Sequence, residues 1–348
     1  MNSRLHHTPV WNRSNPAPGK YRAGGSTSLG PGQTARMEIS RDSIGVAAKR
    51  LASYIRRTPV IEVNAADFDL NGRLLFKLEM LQRTGSFKVR GAFNLVLAHM
   101  HGDSPSDPVV AASGGNFAFA LGYAASRLRA KAHLFVPSTS PPAKITNVRS
   151  TGAKVTVIDG FYGDALEASR QFVAANGGVL AHAYDQDKVV EGAGTCGLEI
   201  QEQVPDADTV VVSVGGGGLI AGIALAVQDD ARIVGVETEF TPTLFEARRQ
   251  GAPVDVEVGG IAVSSLGSKR LGNIAWEVSQ KWIDDSILVT DDAVLEAQRR
   301  LWSESRIMVE PGAAAGTAAL LSGVYRPGKD ETVVVVLSGA NLDPASIF

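Results

Sequence analysis

The residues best suited to chemistry lie in one stretch, Glu79-Met-Leu-Gln-Arg-Thr-Gly-Ser-Phe-Lys88-Val-Arg90-Gly91. Thr84, Gly85 and Ser86 break an apolar strand, and Phe87, Lys88, Gly91, Ala92, Phe93 and Leu95 start a helix. Lys88 therefore sits near a helix N-terminus with an aromatic beside it. Burial and the positive end of a helix both disfavour an ammonium there, and a neutral lysine amine forms imines with carbonyls. A lone lysine is far more often a solvated surface residue, so the case for chemistry rests on the rest of the chain.

Three further turns supply it. Gly215-Gly-Gly-Gly218 follows a continuous valine strand and precedes an apolar helix. Backbone N–H groups at such a helix start make a nest for a phosphate. The stretch lacks the G-x-G-x-x-G dinucleotide pattern, and no G-K-[ST] P-loop occurs, so nucleotide hydrolysis has no support. Ser113-Gly-Gly-Asn116 opens another helix, where free N–H groups suit a carboxylate and Asn116 suits a ligand oxygen. Ser338 ends the last buried strand, at the edge where open α/β sheets bind ligands.

The elements that must position these groups alternate. Short apolar strands are expected at 73–78, 109–112, 133–136, 154–158, 179–182, 209–213, 232–236, 285–290 and 332–337. Helices are expected at 40–55, 88–100, 118–129, 141–151, 164–175, 194–204, 219–228, 291–303 and 311–321, with a looser stretch at 240–273. Such alternation predicts parallel sheets with right-handed crossovers. The block 108–183 reads as one small α/β domain, set off by a polar loop at 102–108. Residues 1–36 hold five basic residues and no acid among many Pro, Gly and Ser, which predicts a disordered N-terminal extension. A net charge of −2 gives no electrostatic reason to expect nucleic acid or an anionic membrane as partner. With Cys196 the only cysteine, no intrachain disulfide framework exists, which is consistent with a cytoplasmic setting.

A lysine for an imine, a glycine nest for a phosphate, and an asparagine and a serine for polar ring positions together describe a pyridoxal phosphate site. Residues 79–92 resemble the lysine motif of the threonine/serine dehydratase (ammonia-lyase) family of fold-type II pyridoxal-phosphate enzymes. Residues 215–219 resemble its phosphate loop, and 113–116 its serine–glycine–asparagine turn. The similarity runs in order from about Asp42 to Asn341 and includes Arg57-Thr-Pro59, Gly194-Thr195, Gly235-Val-Glu237 and Glu310-Pro311. It implies two parallel-sheet α/β domains, tryptophan-synthase-β-like, with the cofactor between them. The large one would be 37–107 plus 184–348, and the small one 108–183. A homodimer is also implied.

The resemblance assigns roles to matching positions. Lys88 would hold the cofactor covalently and, once released, act as the base at Cα. Phe87 would pack beside the ring and Asn116 would bond its hydroxyl. Gly215, Gly216, Gly217, Gly218 and Leu219 would bind the phosphate, and Ser338 would face the pyridine nitrogen. A neutral serine there leaves that nitrogen unprotonated, which suits β-elimination. Ser86, Ser113, Gly114 and Phe117 would face the substrate, the Ser113 and Gly114 backbone taking its carboxylate. The implied reaction converts L-threonine or L-serine to a 2-oxo acid and ammonia. Alternatives are a dehydratase for 3-hydroxyaspartate or phenylserine, a β-replacement or threonine-synthase-like enzyme, and, more weakly, an amino-acid racemase.

Four departures from the family pattern bear on this. Phe117 and Phe119 stand where the family commonly has histidine and glutamine, so they either pack the helix or make an apolar wall for a bulkier substrate. Gly114 stands where racemase members carry a serine on the far face, which argues against inversion, since that needs a proton from the opposite side. Glu237 fits the first ligand of a cation site found in some members, but Thr243 replaces an aspartate there. Nothing resembling a regulatory domain follows Asn341, so feedback control by isoleucine is not expected.

Overall fold

The computed structural model describes residues 39–100 and 107–343. The expected N-terminal extension and most of the 102–108 loop lie outside the described residues. In chain order the strands are β1 (Val60–Val63), β2 (Arg73–Lys77), β3 (Val109–Ala112), β4 (Ala132–Pro137), β5 (Lys154–Ile158), β6 (Val179–Leu180), β7 (Thr209–Ser213), β8 (Arg232–Thr238), β9 (Asp285–Val289) and β10 (Thr332–Val336). The α-helices are α1 (Arg41–Leu51), α2 (Lys88–His99), α3 (Asn116–Arg127), α4 (Pro142–Arg149), α5 (Tyr162–Asn176) and α6 (Asp187–Gln203). They continue as α7 (Gly218–Val227), α8 (Thr243–Gln250), α9 (Val263–Leu266), α10 (Asn273–Trp282), α11 (Asp291–Ser305) and α12 (Pro311–Leu321).

Two sheets result. One has six strands in the order β1-β2-β10-β7-β8-β9, and the other four in the order β5-β4-β3-β6. Only β1, paired with β2, runs antiparallel. The valine runs follow from burial on both faces. In β7, Val210 and Val212 join one core cluster and Val211 the cluster across the sheet; in β10, Val334 and Val336 face the first and Val333 and Val335 the second. A strand with no wet face reads as a continuous apolar run rather than an alternating one. The four-stranded sheet repeats this with smaller side chains, Val109 and Ala111 on one face and Val110 and Ala112 on the other.

The structure departs from the sequence expectation in three places. β1 is a four-residue, half-buried edge strand, too short to show a period. α6 begins at Asp187 rather than Gly194, because glycines that look like helix breakers are packing contacts. A Cβ on Gly192 would lie 2.5 Å from Arg90 O, and one on Gly222 would lie 2.5 Å from Gly194 N. The backbones of α2, α6 and α7 thus touch, which sets the start of α2 at Lys88 against the start of α7 at Gly218. The loose stretch 240–273 contains α8 and α9 and runs into α10.

A buried ionic cluster holds the chemistry-bearing loop from below. Arg90 is fully buried and forks onto Glu79, with Nε to Oε2 and Nη2 to Oε1 both 2.7 Å. Its other edge meets Glu199 of α6 at 2.8 and 2.9 Å and Thr195 Oγ1 at 3.0 Å. Lys77, at the end of β2, donates to Glu199 at 2.6 Å, to Thr58 O at 2.8 Å and to Gln203 at 2.8 Å. Burial pushes the Glu79 carboxyl up, and the Arg90 guanidinium more than reverses that, leaving it below the usual range. No helix among the described residues is long and apolar enough to cross a membrane.

Removing one partner of such a cluster leaves buried charge uncompensated. Arg90→Met is expected to lose roughly 3–5 kcal/mol, read as a lowered urea midpoint at neutral pH. The Glu79 contribution is fully present above its ordinary value of 4.5 and drains away as acid takes pH through its lower folded value. The wild-type midpoint should therefore drop on acidification below about pH 4–5.

Candidate active site

The turns after the carboxyl ends of β2, β3, β7 and β10 carry the groups named from sequence. The lysine loop and the turn after β10 pair as two short extended segments. Phe87 N donates to Ser338 O at 3.0 Å, Ala340 N donates to Gly85 O at 2.9 Å, and Ser86 bridges Gly339. Gly85 has φ +69°, and a Cβ there would stand 2.6 Å from Asn341 Oδ1, so glycine is required twice over. Asn341 Nδ2 donates to Thr84 O at 2.8 Å and to Asn116 Oδ1 at 2.9 Å, so one amide ties the lysine loop to the start of α3. Thr84 sits at φ +61°, and its hydroxyl and that of Ser86 are buried without a hydrogen-bond partner. Two unpartnered hydroxyls beside one lysine are a polar surface that protein alone does not satisfy.

Lys88 Nζ lies 4.8 Å from the centre of the Phe87 ring and donates to Ala183 O at 3.0 Å. With no carboxylate partner, burial lowers its pKa from 10.5 to about 8. Sequence reasoning missed the segment that receives it, His182-Ala-Tyr-Asp185. There the Tyr184 ring backs the glycine turn: a Cβ on Gly216 would stand 2.3 Å from that ring, and one on Gly218 2.8 Å from Tyr184 O. Asp185 accepts from Ile274 N at 2.9 Å and from Asn273 Nδ2 at 3.0 Å, capping α10 from a distance. The alternating ring and carboxylate pattern of 182–185 was the available signal, but it resembles an ordinary loop.

The glycine turn ends with Gly217 at φ +88°, immediately before α7, and no side chain caps that helix. Among the described residues, the N–H groups of Gly215, Gly216 and Gly217 donate to no protein acceptor. Leu219 is buried in the first turn of α7. Unpaired N–H groups at the positive end of an apolar helix suit an anion. Behind them, Thr243 Oγ1 donates to Gly215 O and lies 3.1 Å from Glu237 Oε1. The Glu237 carboxylate also accepts from Leu244 N at 2.8 Å, Phe245 N at 2.7 Å and Ser286 Oγ at 3.3 Å. Burial pushes its carboxyl up to about 7 against those four bonds. Both oxygens are thus engaged by protein donors, and no cluster of three acidic, histidine or cysteine side chains among the described residues is fit for a metal ion.

At the mouth of α3, Asn116 Nδ2 donates to Glu310 Oε2 at 2.7 Å, and Glu310 Oε1 pairs with Lys144 at 3.3 Å. Lys144 also donates to Ser264 O at 3.1 Å, and Ser265 Oγ accepts from Gly312 N at 3.2 Å. A Cβ on Gly215 would lie 3.0 Å from Leu266. The segment 262–267, which carries α9, is therefore a clasp that touches both the glycine turn and the α3 mouth. Ser113 Oγ accepts from Gly115 N at 3.3 Å, and a Cβ on Gly114 would collide with Ser140. Ser338 is half-buried and meets the lysine loop through its carbonyl. Phe117 parts from this group. It is 2% exposed and belongs to the core cluster that includes Phe93 and Leu121, with Phe119 packed against that cluster. Of the two expectations for these rings, packing inside the fold is the one that the burial of Phe117 matches.

The comparisons with known proteins agree with this arrangement. Residues 51–339 match the family model described as pyridoxal-phosphate dependent enzyme. An L-threonine ammonia-lyase of Thermotoga maritima is 33% identical over 308 residues, 88% of this chain and 76% of that protein. A serine racemase of Oryza sativa subsp. indica is 31% identical over 313 residues, 86% of this chain and 90% of that protein. The solved maize serine racemase superposes with a TM-score of 0.83 at 32% identity, covering 88% of this chain and 95% of that one. The chain thus belongs to the pyridoxal-phosphate-dependent enzymes, in the fold-type II family of the threonine and serine dehydratases.

Proposed function

We propose that this chain dehydrates and deaminates a β-hydroxy amino acid, L-threonine and/or L-serine, to a 2-oxo acid and ammonia. The observation that carries the reading is Lys88, a half-buried amine with no acidic partner and a pKa lowered to about 8, backed by the segment that also lines the glycine turn. The residues present fit pyridoxal phosphate: unpartnered N–H groups for its phosphate, an amine for its aldehyde, and unpartnered hydroxyls nearby.

When bound, the cofactor withdraws electrons from the substrate Cα and acidifies its proton. The chain supplies the rest. Lys88 anchors the cofactor and then, as a free amine, takes the Cα proton. Gly215, Gly216, Gly217, Gly218 and Leu219 hold the phosphate at the start of α7. Phe87 packs beside the ring, while the Asn116 amide and the Ser338 hydroxyl hold its polar edges. The Gly114 N–H binds the substrate carboxylate, the Ser113 N–H expected beside it being engaged by Phe135 O at 3.0 Å, and the Ser86 hydroxyl faces the substrate. The β-hydroxyl leaves as water by taking up the proton that Lys88 removed from Cα, and the released enamine consumes one water in hydrolysing to the 2-oxo acid and ammonia. A divalent cation has no part in this proposal, because Leu244 N, Phe245 N and Ser286 Oγ already donate to Glu237.

Holoenzyme should absorb near about 410–430 nm, and Lys88→Ala should lose both that band and 2-oxo-acid release. If threonine and serine are both inert with the band present, the substrate assignment fails. Because the neutral amine is the reactive form, cofactor uptake by the cofactor-free protein should accelerate as pH rises and level off above about 8. Treatment with EDTA, or addition of magnesium or calcium, should leave activity and thermal midpoint unchanged. A rise on adding either ion would put a cation at Glu237.

A further inference from the structure

Strands β3, β4 and β5 run parallel, and the carboxyl end of β3 leads into the α3 mouth. At the opposite end of this sheet, where the three strands begin, lies a cavity of about 480 Å³. Its wall is mostly apolar and built from small residues, Gly122 and Ala125 of α3 and Ala153 among them, with Phe172 of α5. The helix cannot move in to fill it. A Cβ on Gly122 would stand 2.4 Å from Thr151 Oγ1, so α3 already touches the turn before β5. No carboxylate lines the cavity, and two lysines do. Lys131 and Lys154 are exposed, and neither has an ion-pair partner among the described residues. His133 pairs in register with Lys154, so the two side chains share one face of the sheet. The His133 ring is 5% exposed, stacks on Phe135 and meets Phe172 edge-on, both with centroids 4.4 Å away. Its Nε2 bonds Thr156 Oγ1 at 2.8 Å, while Nδ1 is buried without a hydrogen-bond partner. Burial, and then the Lys154 ammonium, lower its pKa, so the ring is neutral at neutral pH.

We propose that this cavity binds an apolar monocarboxylate at a site separate from the catalytic one, with the carboxylate between Lys131 and Lys154 and the hydrocarbon body against the small-residue wall and Phe172. Cavities of a few hundred Å³ with apolar walls and a few polar groups are where proteins hold small molecules. The charge pattern selects the ligand. With two cations and no carboxylate around it, the cavity attracts an anion and repels an amine, which sets its ligand apart from an amino acid. A phosphate site commonly presents a guanidinium fork or the start of a helix. Neither lines this cavity, because α3 contributes its last turns and α5 its second half. Ammonium groups alone suffice for a carboxylate. The apolar wall then requires the rest of the ligand to be hydrocarbon, whose burial drives binding. The unbonded Nδ1 of His133 is a polar position in that wall which the protein leaves unmatched. The lysine loop and the glycine turn do not line the cavity, so the proposal stands apart from the cofactor-dependent function above.

The test titrates 3-phenylpropionate into holoenzyme by calorimetry, with 3-phenylpropionamide as its neutral twin. The acid should bind at one site with a Kd of about 1 mM or tighter, and the amide at least about 10-fold more weakly. Lys154→Met should weaken the acid by about 10-fold, and Ala153→Leu, which fills the cavity, should abolish its binding. Lys88→Ala should bind it as wild type does. In protein carrying isotopically labelled histidine, the His133 Nδ1 resonance, assigned with His133→Phe, should move as the acid is added. No saturable binding of the acid up to about 10 mM overturns the proposal, as does equal binding of acid and amide. Wild-type affinity in Lys154→Met or in Ala153→Leu overturns it too. Binding lost in Lys88→Ala, or a His133 resonance that stays still, places the acid elsewhere and overturns the site. None of these measurements reads turnover, so failure of the dehydratase assignment leaves them intact.

Discussion

The Arg90 guanidinium is the interaction on which the site depends. It is buried, fully charged and bonded on two edges to Glu79 and Glu199. Glu79 lies just past β2, Arg90 is in the first turn of α2, and Glu199 belongs to α6, so one planar cation fixes a strand end and two helices together. Lys88 stands two residues before it. A lysine amine whose printed partners are one backbone carbonyl and an aromatic ring has no counter-charge, and burial works against its ammonium form. Its position is maintained because the neighbouring arginine is satisfied on the other side of the same helical turn. Arginine suits this role because its fork matches two carboxylates at once.

The glycine contacts extend that constraint to the anion-binding turn. α6 lies backbone to backbone with both α2 and α7, through Gly192 against Arg90 O and Gly194 against Gly222. Side chains at these positions would separate the helices by more than the reach of the residues that depend on them. The amine at the head of α2 and the open N–H groups at the head of α7 thus keep a set separation without touching. Interiors packed at this density transmit small displacements rather than absorb them.

What was legible in the sequence is what local chemistry writes locally. The strand runs of β7 and β10, the four glycines, the lysine turn and the Ser113–Asn116 turn carry their signals within a few residues. What was not legible depends on partners far along the chain. α8 and α10 lack a local capping side chain, because Glu237 accepts from Leu244 N and Phe245 N, and Asp185 accepts from Ile274 N. No reading of 240–273 alone would find those helix starts. The same holds for Ala183, which receives Lys88 through a backbone carbonyl that any residue would supply. Phe117 illustrates the converse. Its motif position left packing and a pocket wall both open, and its membership of the cluster around α2 and α3 is a long-range contact that the motif does not carry.

That burial changes the argument about substrate. An aromatic pair lining the site would favour a bulky or apolar amino acid. With Phe117 buried to 2% exposure, the apolar residues at the start of α3 contribute packing energy instead. Within four residues of Lys88 in sequence, the hydroxyls of Thr84 and Ser86 are buried without a protein partner. Such a surface rewards a substrate that brings its own hydrogen-bonding atoms, since a buried hydroxyl left unmatched costs free energy while a matched one contributes.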